Sequence, residues 1–475
     1  MTKGMIYILS SQGFFFMSGY LLQVYVGRSL GPELYGIFGL ITVFHFIFER
    51  LIGGSFSKGI SKFVAENESA SRSIIGFSMR LQYGFSLLTL LVFYGGADLI
   101  AAEMGDGHLA EYFRLLSLLI VVSGVYIVYS SALNGARAFR EQAILAVAFG
   151  AARLFFVAGL VYLGYSLKGA VWGLVLAGVA CMVLSIRMCR PLAGKGDFDG
   201  RELVSYSVKV TMFTVAMLLI MNIDLVAVKL VLKDNLATGL YNAVLNLARI
   251  PTLVTIPVSI VLFPLIVKAV SDGNNELAAE YSNRTLRYLV ILLVPFPFLV
   301  HSTSRELLTL VYGGAYSGGS AAFGVLIYGL TFIGIAIIMN TIILAVRDLK
   351  VFIYFNMIVV AADVTLNYLL IGRFGIAGAA IATTAVGFAC CLFSIVYVFR
   401  FFEYTVKARS YVNVLLSSAA VYLISAGVPA SGALLLIKYL FLYAAYFAIL
   451  AVLREFGEQD RKMFRDLLPA PAANK

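Results

Sequence analysis

The chain has 475 residues, of which 61% are hydrophobic and only 13% charged, and its mean hydropathy is +0.93. Soluble domains contain roughly half apolar and a quarter charged residues, so this composition excludes a water-soluble globule as well as a disordered chain. The net charge of +11 does not indicate nucleic-acid binding, because the basic residues lie beside apolar runs, where they orient a membrane protein.

Apolar runs of about 20 residues recur along the chain, and each is long enough to cross about 30 Å of hydrocarbon. The runs are continuously apolar rather than alternating, which predicts transmembrane helices and not barrel strands. We therefore predict an all-α integral membrane protein with 14 transmembrane helices. The predicted spans, H1 to H14 in chain order, are residues 5–26, 36–57, 74–97, 112–133, 142–163, 168–188, 207–231, 239–266, 285–303, 319–341, 351–371, 375–399, 410–428 and 431–453.

The basic residues outside the hydrocarbon are unevenly distributed between the two ends of the spans. The N-terminus, the connections after even-numbered spans and the C-terminal tail hold 25 Lys and Arg residues, against seven at the other ends. By the positive-inside rule, this bias predicts a multi-pass protein of the cytoplasmic (inner) membrane with both termini in the cytoplasm. The alternation also supports an even number of spans.

Two stretches of the sequence occur twice. Residues 168–186 align without gaps to residues 377–395, with seven identities in 19 positions and an offset of 209. Residues 30–39 align to residues 236–245 at a similar offset of 206, and both copies keep the Leu-Tyr pair at the start of H2 and H8. The nearly equal offsets indicate an internal duplication.

The duplication predicts two lobes of six spans each. The first lobe is residues 1–200 (H1 to H6) and the second is residues 201–403 (H7 to H12), followed by H13 and H14 in residues 404–453 and a cytoplasmic tail at 454–475. Lobes with an even number of spans have the same orientation, so their pseudo-twofold axis lies along the membrane normal, and a substrate path is expected between them. This layout favours a secondary transporter over a passive scaffold.

Three segments carry a resemblance to a known family. They are GRSLGPELYGIFGL at residues 27–40, GLYNAVLNLARIPTLVTIPVSIVLFPLI at 239–266, and GIAGAAIAT at 375–383. Together with the arrangement of spans, they resemble the polysaccharide transporter branch of the multidrug/oligosaccharidyl-lipid/polysaccharide (MOP) exporter superfamily. The resemblance implies a flippase that moves sugars linked to polyprenyl pyrophosphate to the outer leaflet. It also implies membrane lipids, a polysaccharide polymerase and glycosyltransferases as partners.

Three arginines are assigned to the interior of predicted spans rather than to their ends. They are Arg50, Arg153 and Arg249. A charge at the bilayer centre costs about 2.5 to 3.5 kcal/mol or more and therefore often marks a substrate path. Guanidinium groups bind phosphate oxygens in pairs, so we predict that these arginines bind a pyrophosphate or an acidic sugar. The alternative is a set of structural ion pairs, Arg153 with Asp363 and Arg50 with Glu49.

Two apolar spans each carry a polar stripe at helical spacing. Such stripes are expected to face a polar cavity, so their amides are candidate substrate contacts. The stripe on H8 consists of Asn242, Asn246 and Arg249, and the stripe on H11 consists of Asn356, Asp363 and Asn367.

Two carboxylates within spans are candidates for coupling transport to an ion gradient. Asp224 on H7 and Asp363 on H11 have the chemistry of Na⁺ or H⁺ sites in secondary transporters, and Asn222 adds an amide oxygen. The alternative is that both acids neutralise cavity arginines. His45 on H2 is expected to be a hydrogen-bonded packing residue rather than a proton relay.

Prolines within H8 are candidate hinges. Pro251, Pro257 and Pro264 each remove a backbone hydrogen bond, so H8 is expected to bend between transport states or to have a fixed curvature. The glycines are expected to serve close helix packing, as at Gly169 and Gly173.

The sequence lacks the motifs of an enzyme that uses ATP or a metal. It has no GxxxxGK[ST], HExxH or CxxC pattern, and no resident cofactor or metal is predicted beyond a transported Na⁺ or H⁺. We therefore predict a flippase that moves a lipid-linked oligosaccharide by alternating access and that is not an enzyme. The alternatives are a multidrug exporter of the same superfamily and, from another class, a membrane glycosyltransferase or polymerase.

Overall fold

The computed structural model describes residues 2–190, 194, 196, 198–345, 349–402, 408–457 and 460. Within these ranges the backbone forms helices and turns and contains no strand. Eleven helical stretches of the described residues are long and apolar enough to span a membrane. These observations confirm the prediction of an all-α multi-pass membrane protein.

The described residues form the following α-helices. In the first half of the chain they are α1 (Thr2–Glu66), α2 (Ser71–Gly95), α3 (Ala97–Glu103), α4 (Leu109–Gly135), α5 (Phe139–Leu160), α6 (Ser166–Cys189) and α7 (Gly200–Leu232). They continue with α8 (Asn235–Ala248), α9 (Ile250–Ser271), α10 (Asn275–Leu293), α11 (Pro295–Ser302), α12 (Ser304–Tyr312), α13 (Ser320–Ala345), α14 (Leu349–Phe374), α15 (Ile376–Phe401), α16 (Ala408–Gly427) and α17 (Leu434–Val452).

Some predicted spans share a helix and others are divided. H1 and H2 both lie in α1, whereas H8 is divided into α8 and α9, and H9 into α10 and α11. H5 and H6 lie in one apolar stretch, 139–189, that contains a short π-helical turn at Val161–Tyr165. The total of fourteen spans is therefore still a prediction.

The division of α1 occurs where the sequence contains Gly31 and Pro32. Gly31 has φ 75° and ψ 170°, a conformation that residues with a side chain rarely adopt, and Pro32 cannot donate a backbone hydrogen bond. The helix axis therefore changes at this point although both flanks stay helical. The LGPELYG segment of the sequence is the joint between H1 and H2.

The division of H8 occurs at Arg249, two residues before the first candidate hinge, Pro251. The N–H of Thr252 donates to the Arg249 carbonyl at 3.0 Å, which begins a new helical turn. Pro251 lies in the first turn of α9, where its missing N–H costs nothing, while Pro257 and Pro264 lie inside α9. The sequence therefore breaks H8 at its first proline; movement about any of the three prolines is still a prediction.

The described chain forms two compact units. Unit 1 comprises residues 1–246 and 353–379, and unit 2 comprises residues 247–352 and 380–475. In unit 1, α1 packs against α4, α5 and α7, and α5 packs against α6. Part of its core joins α1, α2 and α4 through buried Ile60, Ile74 and Val128. The predicted lobes, 1–200 and 201–403, are still predictions from the repeat.

Unit 2 contains α9, α13, α16 and the end of the chain. α9 packs against α13, and α11 packs against α16. The segment after α17 folds onto α10, where Arg287 donates to Asp460 at 2.9 Å and to Glu455 at 3.1 Å. This ion-paired network fixes the start of the predicted tail; residues 461–475 lie outside the described ranges.

Candidate functional site

Helices α1 and α8 approach each other closely through two glycines. A methyl group on Gly239 of α8 would collide with the carbonyl of Pro32, and one on Gly36 of α1 would meet the backbone of Asn235 and Gly239. Only glycine leaves room for this backbone contact, as in the small-residue interfaces of other membrane helices. The motif GPELYG and the GLYN segment therefore pack against each other within unit 1.

A hydrogen-bond network continues this contact along the two helices. The amide of Asn242 donates to the backbone carbonyl of Tyr35 at 3.3 Å, and Asn246 donates to the Tyr35 hydroxyl at 3.2 Å. That hydroxyl in turn donates to Gln23 at 2.9 Å, and Tyr20 donates to the Asn246 carbonyl at 3.1 Å. In this structure the Asn242 and Asn246 amides bind α1, and their predicted contact with substrate is untested.

Two buried carboxylates lie near each other on α7 and α14. Asp224 and Asp363 are each 1% exposed, and the charge of Asp224 acts on Asp363. The hydroxyl of Tyr241, on α8, donates to Asp224 Oδ2 at 2.8 Å. Asn367 donates to Asp363 Oδ1 at 3.0 Å. The structure thus brings together the two predicted ion-coupling acids, in what we call the acid pair.

Two oxygen atoms beside the acid pair have no hydrogen-bond donor among the described residues. They are Asp363 Oδ2 and Asn367 Oδ1, both fully buried. An unsatisfied buried acceptor costs about 1 to 3 kcal/mol, and a charged one costs more. Because the group acting on Asp363 is another carboxylate, the structure does not support the alternative in which an arginine neutralises Asp363. The acid pair therefore combines two buried carboxylates with acceptor oxygens that lack donors among the described residues.

The other amides predicted around the acid pair are also buried. Asn222 on α7 and Asn356 on α14 are 1% and 4% exposed. Both engage neighbouring groups. Their place in unit 1 agrees with the predicted polar stripes, while the proposed contact of Asn356 with substrate is untested.

Arg153 on α5 packs against two aromatic rings that stack on each other. Its guanidinium carbon is 4.3 Å from the ring centre of Phe15 and 5.0 Å from that of Phe149, and the two rings are nearly parallel. Its Nε and Nη2 atoms are buried and have no hydrogen-bond partner among the described residues. Glu49 acts on Arg153 electrostatically. Among the described residues no ion pair joins Arg153 to Asp363, because Asp363 Oδ2 has no partner and Oδ1 accepts from Asn367. The alternative pairing of Arg153 with Asp363 is therefore wrong.

His45 forms part of the surroundings of Arg153. Its Nε2 atom lies 2.8 Å from the hydroxyl of Ser123 on α4, which agrees with the expected hydrogen-bonded packing role. The charges of Glu49 and Arg153 both act on His45. The first six helices therefore hold a polar cluster of His45, Glu49 and Arg153 inside unit 1.

The other two predicted arginines are Arg50 and Arg249. The side chain of Arg50 lies outside the described residues, so its binding role and its pairing with Glu49 stay predictions. Arg249 is half-buried at the break between α8 and α9 and interacts with a neighbouring group. Its predicted role in substrate binding is untested.

A second buried charge in unit 1 was not predicted. Lys229, near the end of α7, is fully buried and donates to the Asn235 side chain at 2.6 Å, which donates to Asp106 at 2.7 Å. This chain of bonds ties α7 and α8 to the turn before α4. Sequence analysis treated Lys229 only as a charge near the end of a span. The acid that it reaches through Asn235, Asp106, is 123 residues away in the sequence.

An apolar groove lies between α7 and α14 in unit 1. Its volume is about 770 Å³, and Leu230, Tyr368 and Leu369 are among the apolar side chains that line it, with Arg373 at its edge. Such a lining suits lipid chains better than a hydrophilic solute. The groove is therefore distinct in character from the acid pair, which lies on the same two helices.

Sequence reasoning also missed the aromatic and tyrosine partners of the charged groups. Phe15, Phe149 and Tyr241 read as ordinary apolar residues of transmembrane helices. Only one feature of the sequence pointed to Tyr241. It stands beside Asn242 in the GLYN segment, so its hydroxyl and the Asn242 amide lie on neighbouring faces of one helix. Only the packing of α1, α5, α7 and α8 identifies what these rings contact.

Comparison with known proteins agrees with this fold. The family described as "Polysaccharide biosynthesis protein" matches residues 25–321. No curated protein sequence matches the chain significantly. The solved structure of the lipid II flippase MurJ in an inward closed conformation is 17% identical, with a TM-score of 0.77, over 98% of this chain and 100% of that one.

Two further solved structures share the fold. An inward-facing multidrug resistance MATE family transporter of the MOP superfamily is 14% identical, with a TM-score of 0.70, over 81% of this chain and 94% of its own. A MOP superfamily transporter from Pyrococcus furiosus is 12% identical, with a TM-score of 0.61, over 84% of this chain and 96% of its own. The described helices therefore have the fold of MOP superfamily transporters.

Proposed function

The chain belongs to the polysaccharide biosynthesis protein family, and from this premise we propose that it is a flippase for a lipid-linked oligosaccharide. The substrate we propose is a polysaccharide repeat unit on polyprenyl pyrophosphate. The head group crosses in a polar cavity while the lipid tail stays in the bilayer, because sugar hydroxyls are costly to expose to hydrocarbon. Transport by alternating access needs no covalent chemistry.

The observation that carries the proposal is the free edge of Arg153. Nε–H and Nη2–H of a guanidinium point the same way and form the fork that binds two oxygens of a phosphate or carboxylate. In Arg153 both of these atoms are buried without a partner, while Phe15 and Phe149 pack against the group. A buried fork of this kind suits the pyrophosphate or an acidic sugar of the proposed substrate.

The acid pair supports coupling to a cation gradient, and we propose Na⁺ as the cation. Two buried carboxylates that act on each other favour a positive ion between or beside them. Carboxylate and amide oxygens are ligands for hard cations, and the free Asn367 Oδ1 can coordinate Na⁺ but does not take up a proton. A proton on Asp224 or Asp363 is the alternative.

The proposed site of action is the cytoplasmic membrane, with both termini in the cytoplasm. The support is the bias of 25 basic residues to one side against seven to the other. The proposed functional partners are glycosyltransferases and a polymerase. The glycosyltransferases make the unit before it is flipped, and the polymerase joins the units after they are flipped.

The test is deletion of the gene in its native host followed by complementation. Deletion should remove the surface polysaccharide and cause the lipid-linked repeat unit to accumulate inside, measured by mass spectrometry of extracted lipids. Wild-type protein and Arg114→Ala, which alters an exposed arginine paired with Asp98, should restore export. Arg153→Ala and Arg249→Ala should not, at equal protein levels in the membrane.

Other outcomes would favour the rival functions. Sensitivity to cationic drugs with an unchanged surface polysaccharide would indicate a multidrug exporter. Loss of the lipid-linked unit itself, rather than its accumulation, would indicate a glycosyltransferase. Polymer restricted to a single repeat on the outer surface would indicate a polymerase.

A further inference from the structure

Helix α8 is a short rigid element between two interruptions of the backbone. At its start, α7 ends at Leu232 and Lys233 adopts the left-handed conformation, with φ 51°. At its end, α8 stops at Ala248, and α9 begins a new turn after Arg249. The 14 residues of α8 are thus separated from α7 and from α9 by an irregular backbone at each end.

Neighbouring residues of α8 bind two different helices. Tyr241, which is fully buried, donates its hydroxyl hydrogen bond to Asp224 of α7 at 2.8 Å. Asn242 donates to the Tyr35 carbonyl of α1 at 3.3 Å. Successive side chains on a helix point about 100° apart, so one turn of α8 can contact both partners. The acid pair and the α1 contact are therefore joined through adjacent residues of one rigid helix.

We propose that Tyr241 is the residue through which a cation at the acid pair controls the docking of α8 on α1 and α7. The inference rests on the proposed cation at Asp224 and Asp363. A bound Na⁺ draws the two carboxylates together and holds Asp224 where its Oδ2 accepts the hydrogen bond from the Tyr241 hydroxyl. When Na⁺ leaves, the two carboxylates repel, Asp224 moves away from Asp363, and the bond to Tyr241 weakens.

The contacts on the other side of α8 explain why this bond would matter. The Gly36 and Gly239 contact and the Asn246 bond to Tyr35 require α8 to keep one position against α1. A shift of α8 away from α7 changes that position, because its 14 residues move together. Tyr241 acts through Asp224 and does not itself need to touch Na⁺, so it is a positioning residue.

The test compares sodium binding with protection of α8 from hydrogen exchange in the purified full-length chain. The variants are Tyr241→Phe, Asp224→Asn and the matched control Tyr25→Phe, which removes a tyrosine hydroxyl bonded to the Ala158 carbonyl of α5. Binding of ²²Na⁺ is measured directly, and deuterium uptake of peptides covering 31–39 and 235–248 is measured in NaCl and in choline chloride.

In wild type and Tyr25→Phe, Na⁺ should lower deuterium uptake in both peptides. In Tyr241→Phe, saturating Na⁺ should leave uptake at its sodium-free level although Na⁺ still binds. By linkage, the lost bond should weaken that binding by a factor of about ten. Asp224→Asn should lose both binding and protection. A residue with only a structural role would change uptake equally in both salts.

Two results would overturn the inference, and they are distinguishable. If Tyr241→Phe keeps the sodium-dependent protection of 235–248, the coupling role of Tyr241 fails while the cation site stands. If wild type itself binds no Na⁺, the proposed cation fails and the coupling fails with it. If Tyr241→Phe loses binding as completely as Asp224→Asn, Tyr241 belongs to the binding site and is not a coupling residue.

Discussion

Asn246 on α8 donates a hydrogen bond to the hydroxyl of Tyr35 on α1 at 3.2 Å, across 211 residues of sequence. The same tyrosine accepts from Asn242 through its backbone carbonyl and donates to Gln23. Tyr35 is completely buried at this junction. The polar residues that a sequence pattern assigns to a cavity therefore also hold two helices together.

The close contact of α1 and α8 predicts the effect of filling it. Gly239→Ala places a methyl group against the Pro32 carbonyl, so it should separate the helices and lower stability by about 1 to 3 kcal/mol. The unfolding temperature of the purified protein, followed by light scattering during heating, measures the loss of stability. Gly84→Ala is the control, because a methyl group there meets no atom within 4 Å. Equal unfolding temperatures for the two variants would contradict the contact.

The geometry of Arg153 predicts that a positive charge at this position is not enough for glycan export. Arg153→Lys keeps one positive charge but cannot present two parallel N–H groups, so glycan export should fall at least about tenfold. The measurement is surface polysaccharide in the complemented deletion strain, with Arg114→Lys as the control at an exposed ion pair. Full export with Arg153→Lys would show that a point charge serves as well as the fork.

The repulsion within the acid pair predicts that replacing one acid raises the stability of the sodium-free protein and removes its dependence on Na⁺. Asp363→Asn removes one of two interacting buried charges, so the sodium-free protein should become more stable, while the stabilisation by Na⁺ should disappear. Unfolding temperatures in NaCl and choline chloride report both effects. Asp98→Asn, at an exposed carboxylate, should keep the wild-type response. A sodium-induced rise in Asp363→Asn equal to that of wild type would place the cation elsewhere.

The C-terminal segment predicts a dependence on pH. Burial acts to raise the pKa of Asp460, but hydrogen bonds from Arg287, Tyr288 and the Gly457 N–H outweigh it and hold the pKa below the usual value. A lowered folded pKa means that the network stabilises the segment fully above the free-carboxyl pKa of about 3.9. This stabilisation is lost as the pH falls through the folded value.

Limited proteolysis of the segment after α17 at different pH values measures this release. Cleavage of wild type should rise only in acid, whereas Asp460→Asn should be cleaved readily at neutral pH. Asp272→Asn, which alters an acid at the end of α9, should behave as wild type. Wild-type resistance in Asp460→Asn at neutral pH would show that the ion pairs do not hold the segment.

The sequence by itself determined the class of fold. Continuous apolar runs have one stable form in hydrocarbon, since every backbone N–H must bond within its own segment. Helices are likewise interrupted at Gly31 with Pro32 and at Pro251. The causes are local, because glycine tolerates positive φ and proline lacks a backbone N–H. The helical spacing of Asp363 and Asn367 correctly placed these two side chains together.

The partners of the polar side chains were decided only by the tertiary structure. Helical periodicity tells which residues share a face but not which distant helix covers it. The repeat aligns Arg153 with Asp363, and the two are opposite in charge, yet Arg153 packs against the rings of Phe15 and Phe149 and Asp363 lies near Asp224. The bond of Tyr241 to Asp224 depends on how α7 and α8 pack. That packing is fixed by shape over many residues at once, and no short segment of the sequence records it.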